Sequence, residues 1–537
     1  MSVKRWMAAI AAMLAIACAQ SGAAQTLKWA NNGDVSSMDP YFLNETFLLG
    51  FMSNIYEPLV GRGKKLELVP KLATSWQQTS PTVWRFKLRP NVKFHDGSPF
   101  TADDVVFSYK RVLMEGSDIK GKLTTVKDVR KVDDLTVDFE TKEPNPLLPG
   151  DISTWYIMSK IWSEKNGAVQ PTNVKTNQES YANLHANGTG PFMLKSREPD
   201  VKTVAVRNPN WWSKHESNLQ EVQFQVIKSD ATGVAALLSG EVDMLYTVPI
   251  QDVERINKTK GRKVLQGPEM RTIFLGMNQW SDELADSNVK GKNPFKDVRV
   301  RKAFYYAIDE NAIANKVMRG AATPSGLMVA PTVNGWDKAL NVRLPYDPNA
   351  AKRLLTEAGY PNGFTVGMNC PNDRYVNDEQ ICQAVVAMLA RVGVKVNLLA
   401  ETKSKYFAKI LARNTSFYML GWTPDTYDSW NPIQSLIATP DDSGQGKFNL
   451  GKYSNKRVDE LTHLIQSEND TKKRNAMIHE AFKIHADEVG TIPLHQQALA
   501  WGIKDTVKLV QLADNVFVWD WASVKDNNAN GKAGTAQ

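Results

Sequence analysis

The chain predicts an α/β protein built in more than one lobe, and three observations carry that expectation. Between Phe364 and Trp422 apolar runs and amphipathic stretches alternate in the order β-α-β-α-β, which calls for a parallel sheet with right-handed crossovers. The chain has 537 residues, more than one hydrophobic core accommodates, so two or three lobes are expected. The first half reads differently, as short alternating strands separated by irregular connections rich in proline and asparagine.

Taken in order, the chain opens with an export signal over residues 1–24. Lys4 and Arg5 precede an apolar core from Trp6 to Ala17 that is too short to span a bilayer. Gly22-Ala23-Ala24 then offers small residues for cleavage before Gln25. The alternative is lipidation at Cys18, for which Ala15 is a poor match to the large aliphatic residue such sites place three positions earlier. Strands follow in LKWA, VKDVRKVDDLTVDFE, TVAVRN and VQFQVI. From Trp84 to Arg89, Trp84, Phe86 and Leu88 alternate with Arg85, Lys87 and Arg89, a strand with one buried face. Pro90 closes it, His95-Asp96-Gly97 turns, and Thr101 with Asp104 forms a capping box for a helix bearing Val105, Tyr109 and Val112 on one face.

The second half is more regular. Asp347 is an N-cap with Pro348 at the first helical position, Ala351, Leu354, Leu355 and Ala358 form one stripe, and Gly359 occupies a left-handed cap. Strand Phe364–Cys370, a helix from Asp378 to Arg391, strand Val394–Ala400, a helix from Tyr406 to Arg413 and strand Ser416–Trp422 complete the unit. Open parallel sheets bind ligands beyond the carboxyl ends of their strands. Arg374 and Asp425 lie just past two such ends, on one rim.

Composition excludes several functions. The formal charge of +8 is spread thinly, and basic runs such as Lys472-Lys473-Arg474 read as solvated helix faces, so no nucleic-acid partner is expected. Cys370 and Cys382 are the only cysteines after Cys18, and their spacing leaves a disulfide and two free thiols equally open. No HExxH or CxxC zinc pattern, GxSxG elbow or GxxxxGK[ST] loop occurs. Asp441 and Phe448 spoil the sequence around Gly446-Lys447 as a phosphate loop. His95 reads as a hydrogen-bonding turn residue, His479 and His485 are not at ligand spacing, and Asp103-Asp104 reads as a helix cap. Neither a cofactor nor a metal is expected, and no catalysis.

One phrase stands out from this background. GWTPDTYDSW, residues 421–430, puts two tryptophans, a tyrosine and two aspartates in a loop after a buried strand. Aromatic rings supply stiff pocket walls, and a carboxylate in a dry cleft is a strong partner for an ammonium group. Trp422 and Trp430 are candidate ligand contacts. Each residue also has a plainer reading: Asp425 as a turn residue, Arg374 as a surface or interlobe salt bridge, Trp422 as core.

The run WRFKLRPNVKFHDGSPFTADDVVFSYKR, residues 84–111, closely resembles the signature of the extracellular solute-binding proteins of the peptide/nickel transport family. VPKLATSW (69–76), GTGPFML (188–194), NPNWW (208–212), LLSGEVDML (237–245), PFKDVRVRKAFYYAID (294–309), YDPNAAKRLLTEAGYPNGF (346–364), YSNKRVDEL (453–461) and TIPLH (491–495) extend the resemblance over nearly the whole mature chain. It implies a two-lobed periplasmic-binding-protein fold with a hinge and an extra subdomain in the larger N-terminal lobe. The expected divisions are 25–275 for that lobe, with the subdomain at about 55–185, then 276–492, then 493–537 returning to the first lobe. The chain would cross between lobes near Thr272–Asn278 and His495–Gly502.

The resemblance also implies a function. Such a protein captures a dipeptide, oligopeptide or peptide-like solute in the periplasm, as a monomer, and delivers it to the permease of an ABC importer. The aspartate of the family's GWxxD motif, which pairs with a peptide's amino group, falls on Asp425. An arginine that pairs with the carboxylate falls on Arg374. Tyr41 and Tyr246 complete the candidate ligand-binding set. Trp430 departs from the small polar residues relatives place there, so the cargo could also be an opine, glycoside, nickel chelate or haem. An exported hydrolase is disfavoured, since three-residue spacing on a loop does not fix the roughly 5–10 Å carboxylate separation that glycoside hydrolysis uses.

Overall fold

The computed structural model describes residues 25–174, 180–424 and 426–525. The export segment with Cys18, and Asp425, lie outside the described residues. Among the described residues no helix is long and apolar enough to cross a membrane.

Eleven strands join in one mixed sheet that runs through both lobes. Its second-half edge is the expected unit. Thr365–Pro371 pairs in parallel with Lys395–Glu401 on one side and with Phe417–Trp422 on the other. Helices Asp378–Ala390 and Lys403–Leu411 make the crossovers, burying Ile381, Val385 and Leu389 from one and Tyr406 and Ile410 from the other. Just upstream, helix Pro348–Glu357 is started by the Asp347 carboxylate, which accepts from the amides of Asn349 and Ala350 at 3.0 and 2.9 Å. Gly359 ends it at φ +88°, where a side chain would be strained.

Two long strands tie the lobes together. Arg262–Met277 and Thr491–Lys504 run antiparallel along almost their whole length, and their register breaks between Pro268 and Thr272. Beyond the break, Thr272–Met277 pairs with Phe417–Trp422. On the other side, Thr491–Lys504 meets Met244–Leu245, which leads to Thr26–Asn31, Glu221–Val226, Lys202–Arg207 and Phe192–Glu198. A proline within the ladder removes a donor, so Pro268 is a natural place for the pairing to reset.

A separate four-stranded antiparallel sheet is built from Ala73–Ser80, Val83–Leu88, Thr136–Thr141 and Val126–Asp133. Helix Ala102–Leu113 packs on it and begins with the Thr101–Asp104 capping box. That helix is fastened to the main lobe by Arg111, whose guanidinium meets the Asp39 carboxylate in two bonds of 2.9 and 2.6 Å, both side chains fully buried. His95 is a turn residue as expected: its ring bonds the Gly190 carbonyl at 3.1 Å and accepts from the Gly188 amide.

The lobes are closed on one another. Lys447 reaches Asp118 at 3.0 Å, Lys120 reaches the Asp442 carbonyl at 3.1 Å, and Tyr427 donates to Asp514 at 3.1 Å. Cys370 and Cys382, whose state the sequence left open, form a disulfide between the first parallel strand and the helix that follows it.

Candidate functional site

Closure leaves a cleft at the carboxyl ends of the parallel strands, where open α/β sheets place their ligands. Its walls come from both lobes: Leu49 and Gly50 of helix Thr46–Met52, Arg271 of the connecting strand, Arg374 and Tyr375 after the first parallel strand, and Trp422 and Thr423 after the third. Trp422 and Arg374 therefore face one space. Trp422 is held there by its indole N–H, which donates to Asn431 Oδ1 at 2.8 Å, and by Phe448, 5.0 Å away between ring centroids.

The Arg374 loop is tightly specified. Asp378, at the start of the following helix, accepts from the amides of Arg374 and Tyr375 at 2.9 and 3.0 Å. Burial pushes the Asp378 carboxyl up to about 7 despite those bonds. The Tyr375 hydroxyl accepts from the Gly421 amide at 2.9 Å. Gly421 is required by this arrangement, because a Cβ there would sit 2.8 Å from both the Tyr375 ring and Ile273, and 3.1 Å from Arg271.

Arg374 is not free in the closed protein. Its Nε lies 2.7 Å from Glu45 Oε1, with both side chains nearly inaccessible. The N–H is not aimed at the oxygen, so the contact is Coulombic. Glu45 also caps helix Thr46–Met52, accepting from Phe47 and Leu48 amides at 3.1 and 2.8 Å. Burial alone would raise the Glu45 carboxyl, but Arg374 and then Lys403 hold it below the usual carboxylate value. Burial likewise opposes the Arg374 charge, and Glu45 raises it above its ordinary value. The interlobe salt bridge that the sequence offered as the plainer reading of Arg374 is thus present, on the wall of the cleft.

The other candidates are scattered. Tyr246 lines an adjoining polar chamber that shares Arg374 and Tyr375 with the cleft; its hydroxyl donates to the Asn515 carbonyl and its ring stacks on Trp501 at 5.3 Å. Trp430 is buried, donates to the Thr462 carbonyl at 2.9 Å, and borders a third space with Asn44, Asp151 and Lys447. Tyr41 has no exposed surface, and its hydroxyl donates to the Tyr156 carbonyl at 2.8 Å inside the larger lobe. It has no face on the cleft. Asp428 is taken up structurally: Arg474 binds both its oxygens at 2.5 Å, and Asn334 and the Trp430 amide bond it as well.

Three site residues escaped the sequence reading. Glu45 carries no signal of its own, since its partner lies in the other half of the chain. Arg271 sits on the connecting strand, bonded through Nε to Glu269 at 2.9 Å, while its buried Nη2 has no partner. Lys403 was findable: it lies past the end of the remaining parallel strand, Lys395–Glu401, by the rule that singled out Arg374 and Asp425.

Comparison with known proteins agrees with this architecture. The family model described as bacterial extracellular solute-binding proteins, family 5 (middle), matches residues 67–444. The glutathione-binding protein GsiB of Pectobacterium atrosepticum is 24% identical over 533 residues, covering 97% of this chain and 99% of that protein. Among solved structures, the binding protein AgaA of A. tumefaciens R10 with agropinic acid superposes at a TM-score of 0.83 and 22% identity, covering 93% of this chain and 99% of the other. The periplasmic binding protein DppA of Helicobacter pylori with the peptide STSA does so at 0.82 and 22%, covering 93% and 98%. With a family match over most of its length, the chain belongs to the bacterial extracellular solute-binding proteins, family 5.

Proposed function

We propose that this protein is the receptor of an ATP-driven importer, capturing a short peptide or peptide-like solute and presenting it to the permease as a closed two-lobed body. The observation that carries this reading is the cleft itself: an arginine and a tryptophan converge beyond the carboxyl ends of parallel strands, and the GWTPD aspartate follows directly. In the complex Asp425 meets the ligand's ammonium group, Arg374 exchanges its contact with Glu45 for the ligand's carboxylate or a carbonyl, and Trp422 walls the cleft. Tyr246 supports the Arg374 side from the adjoining chamber. The lobes rotate about the register break near Pro268, which supports a division into 25–275 with 493–537, and 276–492.

The protein performs no chemistry in this reading. Asp428, the second loop acid, is committed to Arg474, which removes the carboxylate pair a hydrolase would need. Export through a cleaved N-terminal signal, with the mature monomer in the periplasm, agrees with the disulfide. That glutathione, a peptide and agropinic acid are named with similar proteins supports a peptide-like cargo, an opine being the rival.

A thermal-shift panel of di-, tri- and oligopeptides, glutathione, opines and nickel salts tests this. A ligand at 100 times its dissociation constant adds about 2.7 kcal/mol to the native state, a clear shift. Stabilisation by peptides or glutathione is expected. Stabilisation only by an opine or a metal moves the cargo, and product formation from any of them overturns the receptor reading.

A further inference from the structure

The polar chamber adjoining the cleft contains a cation that the protein itself does not neutralise by contact. Lys403 opens helix Lys403–Leu411, and its backbone amide is held by Asp373 Oδ1 at 2.5 Å. The residue is 3% exposed. Its ammonium lies 4.7 Å from the centre of the Phe47 ring and lines the chamber with Asn31, Asn32, Thr247 and Gln497. Among the described residues no carboxylate stands at ion-pair distance from it and none of its protons is accepted in a hydrogen bond.

The acids nearest in the field are already occupied. Glu45 serves Arg374 and two helix amides, Asp373 the Lys403 amide, and Asp34 the guanidinium of Arg197 at 2.8 Å. Burial lowers the Lys403 pKa below its ordinary value, Glu45 opposing it, the neighbouring Arg374 charge adding to it, and Asp373 and Asp34 opposing it. A buried ammonium whose only contact is an aromatic face, with no hydrogen-bond acceptor or carboxylate, is costly. The chamber wall also carries Arg374 and the Asp373 carboxylate, the latter already accepting from the Lys403 amide, and the rest of its polar lining is amides and hydroxyls, which can complete the hydrogen bonds of an oxyanion.

We propose that Lys403 is a second anion-recognition residue, holding a carboxylate of the ligand other than the one on Arg374, so that the preferred cargo is an acidic peptide with at least two carboxylates. The inference rests on the peptide-like reading above. Arg374 and Tyr375 form the wall common to cleft and chamber, so a ligand anchored on Arg374 is adjacent to Lys403. Asp425 then serves the ammonium group, and the two cations set the spacing and number of the acids.

Calorimetric titration with matched pairs tests this: Ala-Glu against Ala-Gln and Ala-Ala-Glu against Ala-Ala-Gln, on the native protein, Lys403→Met and Lys403→Arg. The native protein should prefer the acidic member by about thirty-fold or more, as truncating a desolvated charge contact usually does. Lys403→Met should erase that preference while leaving the amide member's affinity within about three-fold, and Lys403→Arg should keep part of it. Melting of each unliganded variant reports folding; removing the buried charge should not lower it. Equal affinities in the native protein, or a preference surviving in Lys403→Met, overturn the second anion site and leave the peptide receptor standing. Should Lys403→Met not fold, the native pairs and Lys403→Arg still decide. Absence of binding by all four peptides overturns both readings.

Discussion

Arg374 and Glu45 face each other at the cleft wall, Nε to Oε1 at 2.7 Å, with both side chains nearly inaccessible. Glu45 is also the cap of its helix, so removing it strips two amides as well as one guanidinium. Each single substitution, Glu45→Ala or Arg374→Ala, should lower unfolding free energy by about 3–5 kcal/mol, because each leaves a buried charge unpaired. The double variant should lose less than the sum of the two, by more than about 1 kcal/mol. Urea denaturation of the four proteins measures the coupling. Strict additivity would mean that the pair is incidental.

The disulfide staples the loop that carries Arg374. Cys370→Ser with Cys382→Ser should cost about 3 kcal/mol, as expected for a short closed loop. Because Asp378 and Tyr375 also hold that loop, the fold should survive. Denaturation with and without a thiol reductant checks this: the reductant should shift the native midpoint and leave the double variant unmoved.

Gly421 is a packing requirement of the site. Gly421→Ala should push Tyr375 and Arg271 off the end of the third parallel strand, at an overpacking cost of about 1–3 kcal/mol. Peptide affinity should fall with it, read by titration. An alanine variant of unchanged stability and affinity would show that the contact yields freely.

Acid sensitivity has an identifiable contributor away from the cleft. Burial, then Arg301, lower the His485 imidazole from 6.5 to about 3, so it is neutral in the folded protein. Below pH 6.5 the unfolded chain takes up this proton and the native state does not. Its contribution is therefore intact above pH 6.5 and is lost as pH falls toward 3, by on the order of 5 kcal/mol. Stability measured from pH 7 to 4 should fall less steeply for His485→Gln than for the native protein. Parallel curves would assign the acid loss to other groups.

Where local rules decide structure, the sequence was readable. The order of strands and helices from Thr365 to Trp422 follows from apolar period, the Asp347 cap and the glycine at 359, all properties of neighbouring residues. The rim position of Arg374 followed from that order. What Arg374 touches did not, because Glu45 reaches it only through closure of the lobes. Tyr41 shows the opposite failure: an aromatic residue in a loop-like stretch turned out to be core, its hydroxyl satisfied by a carbonyl that no local pattern announces. Trp430 is similar, with its ring fixed by the Thr462 carbonyl of a later helix.

Titration of native protein and Asp425→Ala with one tripeptide in free and N-acetylated form tests the central claim most directly. Asp425→Ala should lose about thirty-fold or more on the free peptide, the usual cost of orphaning a desolvated ammonium, and little on the acetylated one. Equal losses on both forms, or native protein that binds the acetylated peptide as tightly as the free one, would contradict a cleft that reads the ends of a peptide.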